Sequence, residues 1–156
     1  MTVLHVEDND TTRASLAHLV GVRNGRVEGH TFISTAIVAA ALERLNQGTV
    51  NALVLDVGLD PRWDNKSMHR ALRNLIRAPE HHEPADERGI SAHRLALLAR
   101  THGVPCALLT NWADLLSEAD GYSQDALRDT FHAEAVFRKD EAGMEQCAAW
   151  VRRHLD

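Results

Sequence analysis

The chain has 156 residues, 44% apolar and 25% charged, with a formal net charge of -5. That is the size and balance of one globular domain, and so mild a negative charge gives no electrostatic case for direct nucleic-acid binding. The longest apolar stretch, "AIVAAAL", falls far short of the ~20 residues that span a bilayer, and Met1 leads almost directly into "VLHV" without a signal-peptide pattern. Cys106 and Cys147 form no CxxC pair. They suit a reducing compartment better than a disulfide framework, so the expected location is cytoplasmic, with no membrane partner.

In chain order, "TVLHV" (2–6) is a short apolar strand broken by "EDND". "TTRASLAHLVG" follows as a helix, with Leu16, Leu19 and Val20 on one face and Asn9 or Asp10 as its cap. "RVEGHTFI" (26–33) reads as a weak strand, and "STAIVAAALERLNQG" as a helix from Ser34 to a stop at Gly48. "VNALVLD" is the second clear buried strand. "GISAHRLALLARTHG" (89–103) is a helix ended by Gly103, and "VPCALLT" (104–110) is a strand closing on Thr110. "ADLLSEA" (113–119) and "QDALRDTFH" (124–132) are helical, "AEAVFRK" (133–139) is a last strand, and "EAGMEQCAAWVRRHL" closes the chain as a helix. Strands alternating with helices imply a parallel sheet covered on both faces.

One stretch interrupts the alternation. Residues 61–88 hold an expected helix at about 64–78 and a polar loop bracketed by Pro79 and Pro84. The expected organisation is a single domain over 1–156 with this insertion. The helix carries Met68, Leu72, Leu75 and Ile76 at i, i+4, i+7 and i+8, flanked by Arg70, Arg73 and Arg77. Such a stripe either covers the protein's own core, docks a partner, or pairs two copies of the chain as a homodimer. The "HHE" at 81–83 has no distant partner at ligand spacing and reads as solvated.

The chemistry collects at the strand ends, where parallel α/β sheets bind ligands. Glu7 and Asp8 follow the first strand, Asp56 ends "NALVLD", Thr110 ends "VPCALLT" and Lys139 ends "AEAVFRK". A carboxylate closing a buried run costs free energy unless something pairs with it. Acids brought together repel and want a hard divalent cation such as Mg²⁺. Thr110 and Lys139 are donors suited to phosphoryl oxygens, and Asp56 can serve as a nucleophile that forms an acyl phosphate.

With these residues in place, the sequence resembles the receiver domain of bacterial two-component response regulators. The pieces that carry the resemblance are "VLHVEDND", "ALVLDVGL", "VPCALLTN" and "VFRKD", in the family's order and over nearly the whole chain apart from 61–88. It implies a doubly wound five-stranded parallel sheet of flavodoxin-like (CheY-like) type, with an extra helix between the third strand and its helix. It implies that Asp56 accepts a phosphoryl group from a histidine kinase or phosphotransfer protein. It implies Mg²⁺ held by Asp8, Asp56 and the carbonyl of Gly58, with Glu7 acting through water. Thr110 would contact the phosphoryl group, Lys139 would pair with it, and the output would be contact with a downstream protein.

The sequence also departs from the family's pattern. Asp140 stands where the family usually has proline, and Val136 where it often has an aromatic residue. The Met-Pro that usually follows the phosphoacceptor is absent. These departures keep a second class open, an unphosphorylated pseudo-receiver acting as an interaction module. A phosphatase of the haloacid dehalogenase type ranks last, because its second aspartate is replaced by Gly58. Trp112, two residues after Thr110, is expected beside the site.

Overall fold

The computed structural model describes residues 1–59, 63–79 and 89–155. Its strands are β1 (Thr2–Val6), β2 (Arg26–Val27), β3 (His30–Thr35), β4 (Ala52–Leu55), β5 (Cys106–Leu109) and β6 (Ala135–Phe137). Its helices are α1 (Asp10–Val20), α2 (Val38–Asn46), α3 (Asn65–Arg77), α4 (Ser91–Thr101), α5 (Trp112–Asp120), α6 (Gln124–Thr130) and α7 (Glu141–Leu155). The sheet runs in the order β2-β3-β1-β4-β5-β6. All neighbours are parallel except β2, which pairs antiparallel with β3. Without β2, this is the doubly wound order of flavodoxin-like folds, whose strand order reverses between β1 and β4.

Two differences from the sequence reading have local causes. The weak strand at 26–33 is a hairpin, because Glu28 and Gly29 both take positive φ (47° and 84°) and turn the chain back on itself. Two positive-φ residues between paired strands are the signature of a tight primed turn. Ser34 does not cap a helix. It continues β3, paired with His5 as Thr35 is with Val6, and α2 starts later, at Val38, after Ile37.

The sheet is buried on both faces, as its continuous apolar runs require. Leu4, Val6, Leu53, Leu55 and Leu108 face a core closed by α2 to α6. Val3, Ala52, Val54, Ala107 and Leu109 face a second core closed by α1 and α7. Asn9 caps α1, its Oδ1 accepting from Thr12 N at 2.9 Å. Cys106 and Cys147 are buried free thiols, both pushed up to about 12 by burial. No helix among the described residues is long and apolar enough to cross a membrane.

The insertion helix α3 starts with a cap, Asp64 Oδ1 accepting from Ser67 N at 2.8 Å. Its stripe turns inward. Met68, Leu72 and Leu75 are buried in the protein's own core and Ile76 packs against it. The stripe is therefore consumed by the fold and offers no docking surface of its own. Two of its three arginines are engaged as well. Arg73 meets Asp120 and Arg77 Nε donates to the Tyr122 hydroxyl at 3.1 Å, both across to the α5–α6 region. The "HHE" at 81–83 and the loop beyond Pro79 lie outside the described residues.

His5 is the one anomaly in the central strand. It is fully buried in β1, and neither ring nitrogen has a hydrogen-bond partner. Burial, reinforced by the charges of Lys139 and Arg13, lowers its pKa to about 3. An unsatisfied buried polar group costs about 1–3 kcal/mol. His5→Leu should therefore raise the melting temperature at pH 7. The gain should widen on acidification. Below pH 6.5 the unfolded wild type takes up a proton that the folded state refuses until about pH 3, so stability falls by about 1.4 kcal/mol per pH unit from this group alone. Melting curves of both proteins across that window check this, and an equal or lower melting temperature for the variant contradicts it.

Candidate functional site

The carboxyl ends of β1 and β4 are adjacent because those strands pair, Val6 opposite Leu55. Glu7 and Asp8 leave one, and Asp56 leaves the other. One oxygen from each of Glu7, Asp8 and Asp56 lies within 4.8 Å of the others. Glu7 is fully buried, Asp56 is 5% exposed, and Asp8 is open to solvent. Lys139 reaches in from beyond β6. Its Nζ donates to Glu7 Oε1 at 3.0 Å and to Asp56 Oδ2 at 3.1 Å. One ammonium thus serves two buried carboxylates, although the residues lie far apart in the sequence.

The electrostatics follow from this shortage of positive charge. Burial pushes the Glu7 carboxyl up to about 8, the Asp56 charge pushes the same way, and Lys139 only partly offsets them. Burial alone would lower Lys139, but the carboxylates of Asp56 and Glu7 hold it above the usual lysine range. Without a further cation, Glu7 favours folding fully below pH 4.5, and that contribution is lost as pH rises through about 8. Glu7 Oε2 is 2.9 Å from Lys139 Nζ but has no aligned hydrogen-bond donor. An all-oxygen donor set with an orphaned buried oxygen fits a hard divalent cation such as Mg²⁺.

Local structure holds each group. The Glu7 carbonyl accepts from Arg13 Nη1 at 2.7 Å, and Arg13 is in turn paired with Asp10. Asn9 N donates to Glu7 Oε1 at 3.1 Å. Gly58 N approaches Asp56 Oδ1 at 3.4 Å. Any side chain at Gly58 would meet the Trp112 indole, whose Nε1 lies 2.7 Å from the place of a Cβ. Trp112 is thus beside the site, as its place in the sequence leads one to expect, and it roofs the backbone after Asp56. Thr110, fully buried, ends β5. Its Oγ1 accepts from Trp112 N at 3.1 Å, which ties it to the start of α5. The structure brings Glu7, Asp8, Asp56 and Lys139 together, with Gly58 N near Asp56; Thr110 follows β5 and is tied to the Trp112 backbone.

The loop carrying Lys139 is fixed in a way the sequence reading missed. Asp140 Oδ1 accepts from Gly143 N at 2.7 Å, so Asp140 caps α7 instead of pointing charge at the site. Gly143 is packed so closely that a Cβ would lie 2.1 Å from the Arg138 carbonyl oxygen. The spacing D-E-A-G at 140–143 was the available signal: a helix-capping residue followed by a small one. Val136 pairs with Leu108, and its carbonyl accepts from Gln124 Nε2 at 2.7 Å.

No family model matches the chain, and no curated protein sequence does. Solved structures match its fold. The RcsB response regulator of Salmonella typhimurium aligns with 99% of the chain at 14% identity and a TM-score of 0.57, and the chain spans 60% of its length. A response regulator receiver protein from Pseudoalteromonas atlantica aligns over 100% of both chains at 11% identity, TM-score 0.56. The receiver domain of the TMAO respiratory regulator TorR aligns with 99% of this chain and 95% of its own at 21% identity, TM-score 0.53. The fold is that of response-regulator receiver domains, with helix α3 lying between β4 and α4.

The excess of carboxylate over ammonium gives a direct test. Removing one partner of a buried ion pair usually costs about 3–5 kcal/mol. Here Asp56→Asn leaves Lys139 paired with Glu7 one to one and removes a repulsion. The metal-free variant should melt within a few degrees of wild type or higher, and added Mg²⁺ should raise its melting temperature less. A large fall, of the size expected for an orphaned buried charge, contradicts this reading.

Proposed function

We propose that the chain is a phosphoreceiver, which takes a phosphoryl group on Asp56 and signals by contact with other proteins. The observation that carries it is the Glu7–Asp56–Lys139 cluster, where two carboxylates share one ammonium beside an exposed third acid. An Asp56 Oδ attacks phosphorus, a P–O bond forms, and the P–N bond to the donor imidazole breaks. The imidazole leaves as neutral histidine once protonated, and the acyl phosphate remains. Lys139, already within 3.1 Å of Asp56, supplies positive charge where phosphoryl oxygens gather. Thr110 stands by with a hydroxyl at the start of α5.

Asp8, Asp56 and the Gly58 carbonyl would hold Mg²⁺, with Glu7 acting through water. When bound, that ion neutralises charge between the carboxylates and the incoming phosphoryl group. The donor is proposed to be a phosphohistidine on a histidine kinase or phosphotransfer protein, following the resemblance. The pseudo-receiver reading ranks second. Its sequence arguments were Asp140, Val136 and the insertion, and the capping role of Asp140 removes the first. The dehalogenase-type reading gains nothing, since Gly58 has no room for a side chain beneath Trp112.

Incubation with acetyl phosphate and Mg²⁺, followed by intact-mass spectrometry, tests the proposal. The wild type should gain one phosphoryl group, and removal of divalent cations should abolish the gain. Asp56→Asn should not be labelled, because an amide cannot form the acyl phosphate. A labelled variant, or an unlabelled wild type with Mg²⁺ present, overturns the assignment and leaves the interaction-module reading.

A further inference from the structure

Helix α3 carries a second pattern, separate from its buried stripe. Lys66, Arg70, Arg73 and Arg77 recur at i, i+4, i+7 and i+11. At 3.6 residues per turn these four fall on one line, opposite Met68 and Leu75. The helix contains no acid. The line runs for about 16 Å at 1.5 Å per residue. Lys66 and Arg70 are exposed and form no ion pair among the described residues.

This line borders a groove between α3 and α5. One hollow of about 300 Å³ is lined by Lys66, His69, Arg70, Arg73 and Asp120. An adjoining one of about 440 Å³ is lined by Lys66, His69, Trp112, Leu115 and Glu118. Asp120 is already engaged. It meets His69 Nε2 at 2.6 Å and Arg73 Nη1 at 3.4 Å, and Arg73 Nε is left buried without a partner. Leu115, on the apolar side, is 44% exposed, one of the few large apolar side chains of the protein that is. The groove is thus cationic along α3, while its α5 wall sets the exposed Leu115 beside Glu118 and the already engaged Asp120.

We propose that the α3–α5 groove docks an acidic amphipathic segment of a partner protein, its carboxylates along Lys66, Arg70 and Arg73 and an apolar side chain on Leu115. The length of the cationic line exceeds what a small anion can use, which selects a chain-like ligand. The exposed Leu115 on the second wall favours a peptide over a polyphosphate backbone. The overall charge of -5 means that attraction for an acidic partner has to come from such a local concentration of cations. The inference goes beyond the phosphoreceiver reading, since the surface exists whether or not Asp56 is modified.

The test uses the full chain, without phosphodonor, and a fluorescein-labelled synthetic helix with glutamates at i, i+4, i+7 and i+11 beside a leucine stripe. Fluorescence anisotropy should show binding that weakens as salt rises. Lys66→Glu with Arg70→Glu, both exposed and in no ion pair among the described residues, should bind at least about tenfold more weakly. The same variant should bind a lysine-for-glutamate version of the peptide that the wild type rejects. Leu115→Ser should also weaken binding of the acidic helix while keeping its salt dependence. The inference is overturned if the wild type does not bind the acidic helix, if the charge-reversed protein binds it equally well, or if a single-stranded oligonucleotide of equal length binds the wild type more tightly.

Discussion

The candidate site depends on one ammonium placed between two buried carboxylates. Lys139 contacts Glu7 and Asp56 at once, and no neutral arrangement of these three groups exists while both acids are ionised. Burial first, and then the Asp56 charge, raises the Glu7 carboxyl, and the two carboxylates hold Lys139 above the usual lysine range. One oxygen each from Glu7, Asp8 and Asp56 lies close enough to the others that the three could hold a metal ion.

The surrounding structure keeps that cluster from relaxing. Pairing of β1 with β4 brings Glu7 and Asp56 side by side at the point where the strand order reverses. Arg13 and Asn9 fix the backbone and side chain of Glu7 from α1. Asp140 and Gly143 draw the backbone beside Lys139 tightly onto the start of α7. Trp112 lies across Gly58, and its backbone N–H donates to the Thr110 hydroxyl, which joins the ends of β4 and β5. The same indole stands edge-on to His69 of α3, so the inserted helix touches the residue that covers the site.

Much of this was legible in the sequence because buried strands ending on charge are physically unusual. "NALVLD" and "TVLHVED" announce both strand and site, and Thr110 and Lys139 complete the set once the strands are laid parallel. Less legible were features that turn on backbone geometry or on distant partners. Glu28–Gly29 reverses the chain without an Asn-Gly signal, so the hairpin read as one strand. Ser34 has the chemistry of a cap, but pairing with His5 keeps it in the sheet. The stripe of α3 had the composition of an interface, and only the fold shows it spent on the core. Asp140 read as an intruding charge because its partner, the Gly143 N–H, is a backbone group that side-chain spacing does not reveal.

The central claim is that the metal-free cluster holds a proton that a bound cation must displace. Calorimetric titration of Mg²⁺ into the protein, repeated at pH 7 in buffers of different ionisation enthalpy, measures that proton directly. With the Glu7 carboxyl raised to about 8, binding should release a large fraction of one proton at pH 7, and the release should vanish well above pH 8. Binding without proton release at pH 7, or no binding at all, contradicts the account.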